Sequence, residues 1–223
     1  MKLIHTGYNL DVEIRENQVT VLSVENPKAY TTLLQDIWSQ TQGGEGGFIL
    51  SEGEEVKSIS KVMECVFNPF AIDCNDKRII TKLYQELKEQ SNESMLYEGL
   101  NLNAQIVSYI EELLNRVPYS LELNVDFDLI NLLKMYGVKV QSYGESLIEK
   151  IIEYLRVMNQ ICNLQNYVFV GLKQYLEIKE LEQLYEFAFY EKVNLVIIES
   201  VHSPHVKGEK CWLLDKDLCI IDL

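Results

Sequence analysis

The chain has 223 residues, of which 47% are hydrophobic and 24% are charged, and its formal net charge is −14 at pH 7. This length suits one large domain or a core domain with a smaller lobe, and the hydrophobic content is ordinary for a globular protein, so a folded chain is the default expectation. An acidic chain repels nucleic acid except where its lysines gather on one face.

The five cysteines are odd in number and form no C-x-x-C pair, which is typical of a protein from a reducing compartment. Residues 1–7 are too few and too polar for a signal peptide. No apolar run approaches the roughly 20 residues that span a bilayer. We therefore expect a cytoplasmic protein without membrane attachment.

The first 25 residues predict a β-hairpin. Residues 10–14 and 18–24 each alternate apolar and polar side chains, and Glu16-Asn17 between them is a turn signal. Asn26 and Pro27 then predict a helix, because Asn is a good N-cap and Pro suits the first helical position.

A glycine cluster at residues 43–47 ends this helix and is a possible phosphate cradle. The cluster follows a helix and precedes a strand, which is the reverse of the order in phosphate-binding loops. Glu45 adds a negative charge, and no Walker A pattern occurs in the chain. A flexible turn is therefore the preferred interpretation.

The middle of the chain predicts a strand at residues 62–66, a helix at 77–90 and a second helix at 103–117. The polar residues 91–94 are a candidate lobe boundary. Further on, residues 118–200 alternate extended and helical segments: extended at 118–128, 138–140, 167–170 and 193–198, and helical at 129–136, 144–163 and 176–191. Helical connections of this length favour parallel strand pairing.

These patterns predict an α/β fold with a mainly parallel sheet. The long helices at 103–117 and 144–163 are expected to pack as a helical lobe. The predicted domains are an α/β head of residues 1–90 and 164–223, and a helical leg with hinge segments of residues 91–163. The tail at 211–221 is expected to form a closing hairpin.

Five carboxylates are candidate ligands for a hard cation such as calcium or magnesium. Glu122 and Asp126 share one side of an extended segment, and Asp128 begins a helix, where it can serve as an N-cap. Glu149 and Glu153 share one face of the next helix. Spacing alone favours solvated carboxylates and a helix cap, and the EF-hand pattern is absent.

His202 and His205 have a spacing that can bind zinc, but no third ligand is in register, and Glu199 and Glu209 are remote candidates. A surface loop is the preferred interpretation. No Gly-x-Ser-x-Gly elbow occurs, so the sequence predicts no catalytic residue.

Lys134, Lys139 and Lys150 lie in a less acidic part of the chain. Lysines in such a setting can contact phosphates without reading base sequence. The alternative is that they are ordinary surface lysines.

Residues 129–140, followed by Ser146–Lys150, residues 168–170 and residues 195–199, resemble the adaptation protein of type II-A CRISPR systems. The resemblance covers residues 119–200. It implies an α/β head shaped like an ABC-type ATPase domain but without a Walker A motif, and a helical leg. It also implies a homotetrameric ring around double-stranded DNA with a preference for ends, stabilised by calcium near the hinge.

The resemblance further implies a role in spacer acquisition beside the CRISPR integrase and the effector nuclease, without hydrolytic activity. It assigns DNA contacts to Lys134, Lys139 and Lys150, and calcium to the acidic residues near the hinge. Two alternatives remain: a degenerate NTPase or metal-dependent phosphoryl-transfer enzyme, and an acidic protein–protein adaptor.

Overall fold

The computed structural model describes all 223 residues and divides them into two compact units. Residues Met1–Cys74 and Ser142–Leu223 form one unit, called here the head unit, and Asn75–Gln141 form the other, called the helical unit. The predicted boundaries after residues 90 and 163 differ from those of the structure, which lie after residues 74 and 141.

The head unit contains all ten strands and four α-helices. The strands are β1 (Lys2–His5), β2 (Leu10–Glu13), β3 (Val19–Val24), β4 (Phe48–Glu52), β5 (Glu55–Lys57), β6 (Met63–Val66), β7 (Asn166–Val170), β8 (Asn194–Glu199), β9 (Glu209–Leu214) and β10 (Ile220–Asp222). The helices are α1 (Pro27–Thr41), α2 (Ile59–Val62), α6 (Leu147–Cys162) and α7 (Ile178–Tyr190).

A six-stranded sheet in the order β10-β9-β3-β8-β7-β6 forms the centre of the head unit. All its neighbours pair in parallel except β9 and β10. Every residue of β3 is buried, as are five of the six in β8. Their nearly continuous apolar runs are those of strands covered on both faces. The predicted α/β class with a mainly parallel sheet is confirmed.

The predicted N-terminal hairpin is wrong. β2 pairs antiparallel with β1 in a separate four-stranded sheet of order β2-β1-β4-β5, whereas β3 lies between β8 and β9. Alternation identified both strands but not their partners. Strand β2 pairs with β1, which directly precedes it in the chain, and β3 is buried on both faces between β8 and β9. The predicted C-terminal hairpin is confirmed, since β10 pairs antiparallel with β9.

Helix α6 belongs to the head unit, although the sequence placed it in the helical leg. Its apolar residues are buried, with Ile151, Leu155 and Met158 each 0% exposed. The Arg156 guanidinium lies 5.3 Å from the ring centroid of Phe187 on α7. Packing against the head therefore takes up the apolar face that was expected to build a helical lobe.

The helical unit contains α3 (Lys77–Ser94), α4 (Leu96–Leu114) and α5 (Leu129–Met135). Residues 91–94 continue α3 rather than breaking it, and the hydroxyl of Ser94 donates to the carbonyl of Gln90. The strands predicted at 118–128 and 138–140 are absent, because this unit contains no sheet with which they could pair.

No helix in either unit is both long enough and apolar enough to cross a membrane.

A buried ion pair joins three elements of the head unit. The Lys173 ammonium, after β7, lies 2.8 Å from a carboxylate oxygen of Glu209 at the start of β9, and the two side chains are 5% and 0% exposed. The Tyr185 hydroxyl on α7 donates to the same carboxylate over 2.6 Å. Burial, together with this bond, raises the pKa of Tyr185 far above its usual range. Glu209 is thus fully partnered.

We expect Lys173→Met to destabilise the protein by about 3–5 kcal/mol, because it leaves the Glu209 carboxylate buried without a counter-charge. Urea unfolding measures the change. Adding Glu209→Gln should recover part of the loss, since it removes the unpaired charge. The control is Lys2→Met, which breaks an exposed pair and should cost less than about 1 kcal/mol. Equal effects of the two single substitutions would contradict the prediction.

Candidate nucleic-acid interface and carboxylate sites

Lys134 and Lys139 flank a turn whose backbone is held by a glycine. Helix α5 ends at Met135, and Gly137 follows in the left-handed region with φ of 61°. The Gly137 amide donates to the carbonyl of Lys134, and the amide of Val138 donates to that of Leu133. This is a Schellman motif, which stops the helix and reverses the chain between the two lysines.

Hydrogen bonds to α3 and its N-terminal flank hold the segment that carries Lys139. The Tyr84 hydroxyl donates to the carbonyl of Val138 over 2.8 Å. The Asn75 side chain donates to the carbonyl of Val140 over 3.0 Å and accepts from its amide over 2.8 Å. Val138 and Val140 are half-buried, whereas Lys139 between them is exposed.

Three cations on α3, missed by the sequence reasoning, belong to the same region: Lys77, Arg78 and Lys82, all exposed. Segment 138–140 contacts residues 75 and 84, which bracket these cations. In the sequence, these three residues lie on the polar face of a predicted amphipathic helix, which could have identified them as surface cations. Only the hydrogen bonds from Asn75 and Tyr84 to segment 138–140 associate them with Lys139. We call Lys77, Arg78, Lys82, Lys134 and Lys139 the basic cluster.

The helical unit is also the less acidic of the two. It has seven basic and ten acidic side chains, a net charge of −3 out of the total of −14. Lys150 lies elsewhere, on α6 of the head unit, where it is exposed. Lys134 and Lys139 are therefore in one unit and Lys150 is in the other.

The candidate metal ligands are likewise divided between the units. Glu122 and Asp126 are exposed in the helical unit. Asp128, in the same unit, caps α5 by accepting from the backbone amide and the side chain of Asn131. The cap interpretation of Asp128 is confirmed, and two lone pairs of its carboxylate are already used.

Glu149 and Glu153 lie on α6 and accept backbone amides. Glu149 accepts from the amides of Glu145 and Ser146. Bonds from Ser146 and then from Glu145 lower the pKa of Glu149. For Glu153, burial raises the pKa, but bonds from Ser142, Tyr143 and Gly144 outweigh it and the net pKa is lowered.

A carboxylate offers about four lone-pair sites. Oε2 of Glu153 is contacted by Ser142, Tyr143 and Gly144, which leaves it no lone pair for a metal, whereas Oε1 is contacted only by the Tyr143 amide. Glu149 uses one oxygen, and Glu122 and Asp126 are not held by hydrogen bonds to other side chains. The helical-unit carboxylates are the better fit for a hard cation.

The junction of β3 and α1 is where a parallel α/β fold would bind phosphate. Here only residues 25 and 26 join the two elements. The Asn26 side chain caps the helix by accepting the amides of Lys28 and Ala29, and it donates to the carbonyl of Lys216. The amides that could bind an anion are thus occupied by the protein itself.

The glycine cluster begins in an exposed turn, as the sequence suggested, and its last residue, Gly47, is packed against the protein. The Gly47 amide donates to the Asp36 carboxylate, which also lies 2.8 Å from Nε2 of His5. A Cβ atom on Gly47 would lie 2.5 Å from that nitrogen. Position 47 requires glycine because its backbone passes close to the His5 ring, and not because the loop binds phosphate.

His205, Glu209 and Cys211 place their ligand atoms within 4.8 Å of one another. The Lys173 ammonium already neutralises Glu209. Burial, reinforced by the charge of Glu209, raises the pKa of Cys211 to about 11, so its thiol is protonated at neutral pH. The ion pair disfavours zinc, because a cation at Glu209 would be repelled by the buried Lys173 ammonium. His202 and His205 are exposed in the loop between β8 and β9, as the surface-loop interpretation expects.

The fold and these sites define an α/β protein with a separate helical unit and an exposed basic cluster, in which the β3–α1 junction has no phosphate-binding loop. The family model described as CRISPR-associated protein (Cas_Csn2) matches residues 40–218, and the chain belongs to this family. The family resemblance inferred from the sequence is confirmed, over a longer part of the chain than residues 119–200.

Two relatives are each described as CRISPR-associated protein Csn2. The protein from Streptococcus agalactiae is 23% identical over 215 residues, covering 95% of this chain and 94% of its own length. The protein from Enterococcus faecalis is 21% identical over 196 residues, covering 85% and 86%.

Among solved structures, Stu0660 of Streptococcus thermophilus superposes on all of this chain and on 76% of its own, with a TM-score of 0.60 at 15% identity. This likeness supports the predicted fold class. The ATP-binding cassette MJ1267 of an ABC transporter also aligns, with 95% coverage of this chain, a TM-score of 0.43 and 11% identity.

Proposed function

We propose that this chain is a non-enzymatic protein of CRISPR spacer acquisition that binds double-stranded DNA, with a preference for ends, as a homotetrameric ring. The observation that carries the proposal is the basic cluster on the helical unit of a Csn2-family chain. Lys139 is exposed on a segment whose backbone is fixed by Asn75 and Tyr84. Such lysines contact phosphates irrespective of base sequence.

The charge distribution favours one mode of binding. The chain as a whole repels DNA with a net charge of −14, and the helical unit contributes only −3 of it. DNA should therefore approach the basic cluster rather than the rest of the surface. We propose Lys150 as a further contact from the head unit.

The absence of turnover is supported by the way the head unit uses its polar groups. Asn26 occupies the amides at the start of α1. Glu199, at the carboxyl end of β8, is 1% exposed and accepts from the amide of Lys173. Both groups are therefore engaged by other parts of the protein. An NTPase or phosphoryl-transfer reaction would need both a phosphate cradle and an accessible acid.

Self-association is supported by α4. No side chain of this 19-residue helix is buried, although it carries many apolar residues. Leu96, Leu100 and Leu113 are 50%, 56% and 53% exposed. An amphipathic helix normally covers its apolar stripe, so we propose that a second copy of the chain packs against it.

Calcium is proposed at the carboxylates of the helical unit. Glu122 and Asp126 would supply free oxygens, and Asp128 the lone pairs that its capping bonds leave. A bound cation would neutralise acidic side chains in the unit that carries the basic cluster. The CRISPR integrase and the effector nuclease are proposed partners on the ground of family membership, and the cytoplasmic location stays a prediction.

A protein–protein adaptor is the second candidate. The observation in its favour is an apolar cavity of about 370 Å³ on the outer face of α1, lined mainly by Tyr30, Leu34, Trp38 and Phe67. Trp38 is 56% exposed there. An adaptor of this kind would bind protein at α1 without binding DNA.

Gel-shift measurements with linear and closed-circular duplexes of equal sequence separate these candidates. We expect tighter binding to the linear duplex, because a ring loads over a free end. Calcium should strengthen binding relative to EGTA if it stabilises the ring. If neither duplex is shifted, with or without calcium, the DNA-binding proposal is overturned and the adaptor is favoured.

We expect Lys139→Glu to weaken duplex binding about tenfold and to reduce the slope of log K against log salt concentration by about 1, because one phosphate contact is lost. Fluorescence anisotropy over a salt series measures both quantities. Lys216→Glu makes the same charge change in the β9–β10 turn and serves as the matched control. An unchanged slope for Lys139→Glu would remove this lysine from the interface.

Leu100→Glu and Leu113→Glu are expected to lower the native mass to that of a smaller assembly, because a buried contact cannot accommodate an unpaired carboxylate. Light scattering after size exclusion measures the mass. Gln105→Glu adds the same charge at another exposed position on α4 and should leave the mass unchanged. If all three variants keep the wild-type mass, α4 is not the interface.

A further inference from the structure

We propose that Glu153 and Glu149 form a two-carboxylate clamp that holds residues 142–146 on the first turns of α6, and that Glu153 is not a calcium ligand. The clamp lies entirely within the head unit. It stands on the hydrogen-bond geometry described below, independently of DNA binding and of ring assembly.

Glu153 supplies the first half of the clamp. The Ser142 hydroxyl donates to its Oε2 over 2.5 Å, and the Gly144 amide donates to the same oxygen over 3.3 Å. The Tyr143 amide donates over 3.1 Å to Oε1 and over 3.3 Å to Oε2. Bonds to an ionised carboxylate are stronger than neutral ones, so this residue fixes three consecutive residues.

Glu149 supplies the second half. Its Oε2 accepts the amides of Glu145 and Ser146 over 2.9 and 3.0 Å, while the Ser146 hydroxyl accepts the Glu149 amide. The exchange between Ser146 and Glu149 is a capping box. Glu153, one turn further along α6, extends it. Together the two carboxylates accept the four successive amides of residues 143–146.

Close packing at Gly144 independently supports the clamp. A Cβ atom there would lie 2.9 Å from the amide nitrogen of Lys150 and 3.1 Å from the carbonyl carbon of Glu149. Both atoms belong to the α6 backbone and cannot swing away. The segment therefore lies directly on the helix, and only glycine fits at this position.

The clamp has a defined place in the chain. Residues 142–146 are the first of the head unit after the helical unit, so the clamp sets the backbone conformation with which the chain re-enters the head. A cation bound to Oε2 of Glu153 would have to displace the donors from Ser142, Tyr143 and Gly144, and one bound to Oε1 would share that oxygen with the Tyr143 amide. Calcium ligation by Glu153 would thus compete with the clamp.

Residue-resolved hydrogen exchange in EGTA tests the clamp. In the wild-type chain, the amides of residues 143–146 should be protected without calcium. Glu153→Ala should reduce protection at Tyr143 and Gly144 by about tenfold or more, since each loses a charged acceptor. Glu149→Ala should act mainly on Glu145 and Ser146. Glu182→Ala, at an exposed position of α7, is the matched control and should change none of these amides.

A calcium titration followed by thermal unfolding tests the second part of the proposal. Glu153→Ala should keep the wild-type shift in Tm, whereas Glu122→Gln combined with Asp126→Asn should abolish it. Protection that appears at residues 143 and 144 only when calcium is added would overturn the proposal, as would a calcium shift lost in Glu153→Ala. If calcium shifts the Tm of no variant, the calcium site fails, and the exchange data in EGTA still decide the clamp.

Discussion

Burial of the central parallel strands on both faces is the constraint on which the head unit depends. Leu22 and Val24 of β3, with Val196 and Ile198 of β8, join the apolar core formed with α1 and the four-stranded sheet. The alternate residues Val21, Leu195 and Ile197 are buried as well. A strand in this position needs cover on two sides, so α1 and the small sheet occupy one side and helices must cover the other. Helix α6 supplies part of this cover and so belongs to the head unit, whereas α3, α4 and α5 form the separate helical unit.

The way in which the head unit bonds its own polar groups is consistent with the proposed function. The β3–α1 link is so short that Asn26 closes the helix terminus, and the buried acids Glu199 and Glu209 are held by Lys173 and its neighbours. Polar groups that could take part in a reaction are thus bonded within the protein and stabilise the fold. The helical unit presents the exposed basic cluster, in which hydrogen bonds to its backbone segment hold Lys139 outward. Such an arrangement suits contact with a phosphate backbone better than chemistry on a nucleotide.

Local patterns predicted elements well where one property dominated. The apolar run of β8, the short strand β6 and the C-terminal hairpin were all predicted. The pairing of β2 and β3 was not, because period-two alternation identifies a strand without identifying its neighbour. Residues 118–128 and 138–140 have extended patterns but no sheet partner within their unit. The end of α3 was placed too early because polar residues 91–94 were interpreted as a break, although serine and glutamate are tolerated in helices.

The sequence by itself determined the family, the α/β class and the residue types available for binding. Only the tertiary structure decided which of those residues are free. Asn75 and Val140 are 65 positions apart, yet their two hydrogen bonds associate Lys139 with the cations of α3. Glu149 and Glu153 had the spacing of metal ligands, and the folded chain supplies them with amide donors. The reason is physical: spacing along a helix or strand shows which side chains share a face, whereas occupancy of a carboxylate or an amide depends on whichever segment packs against it.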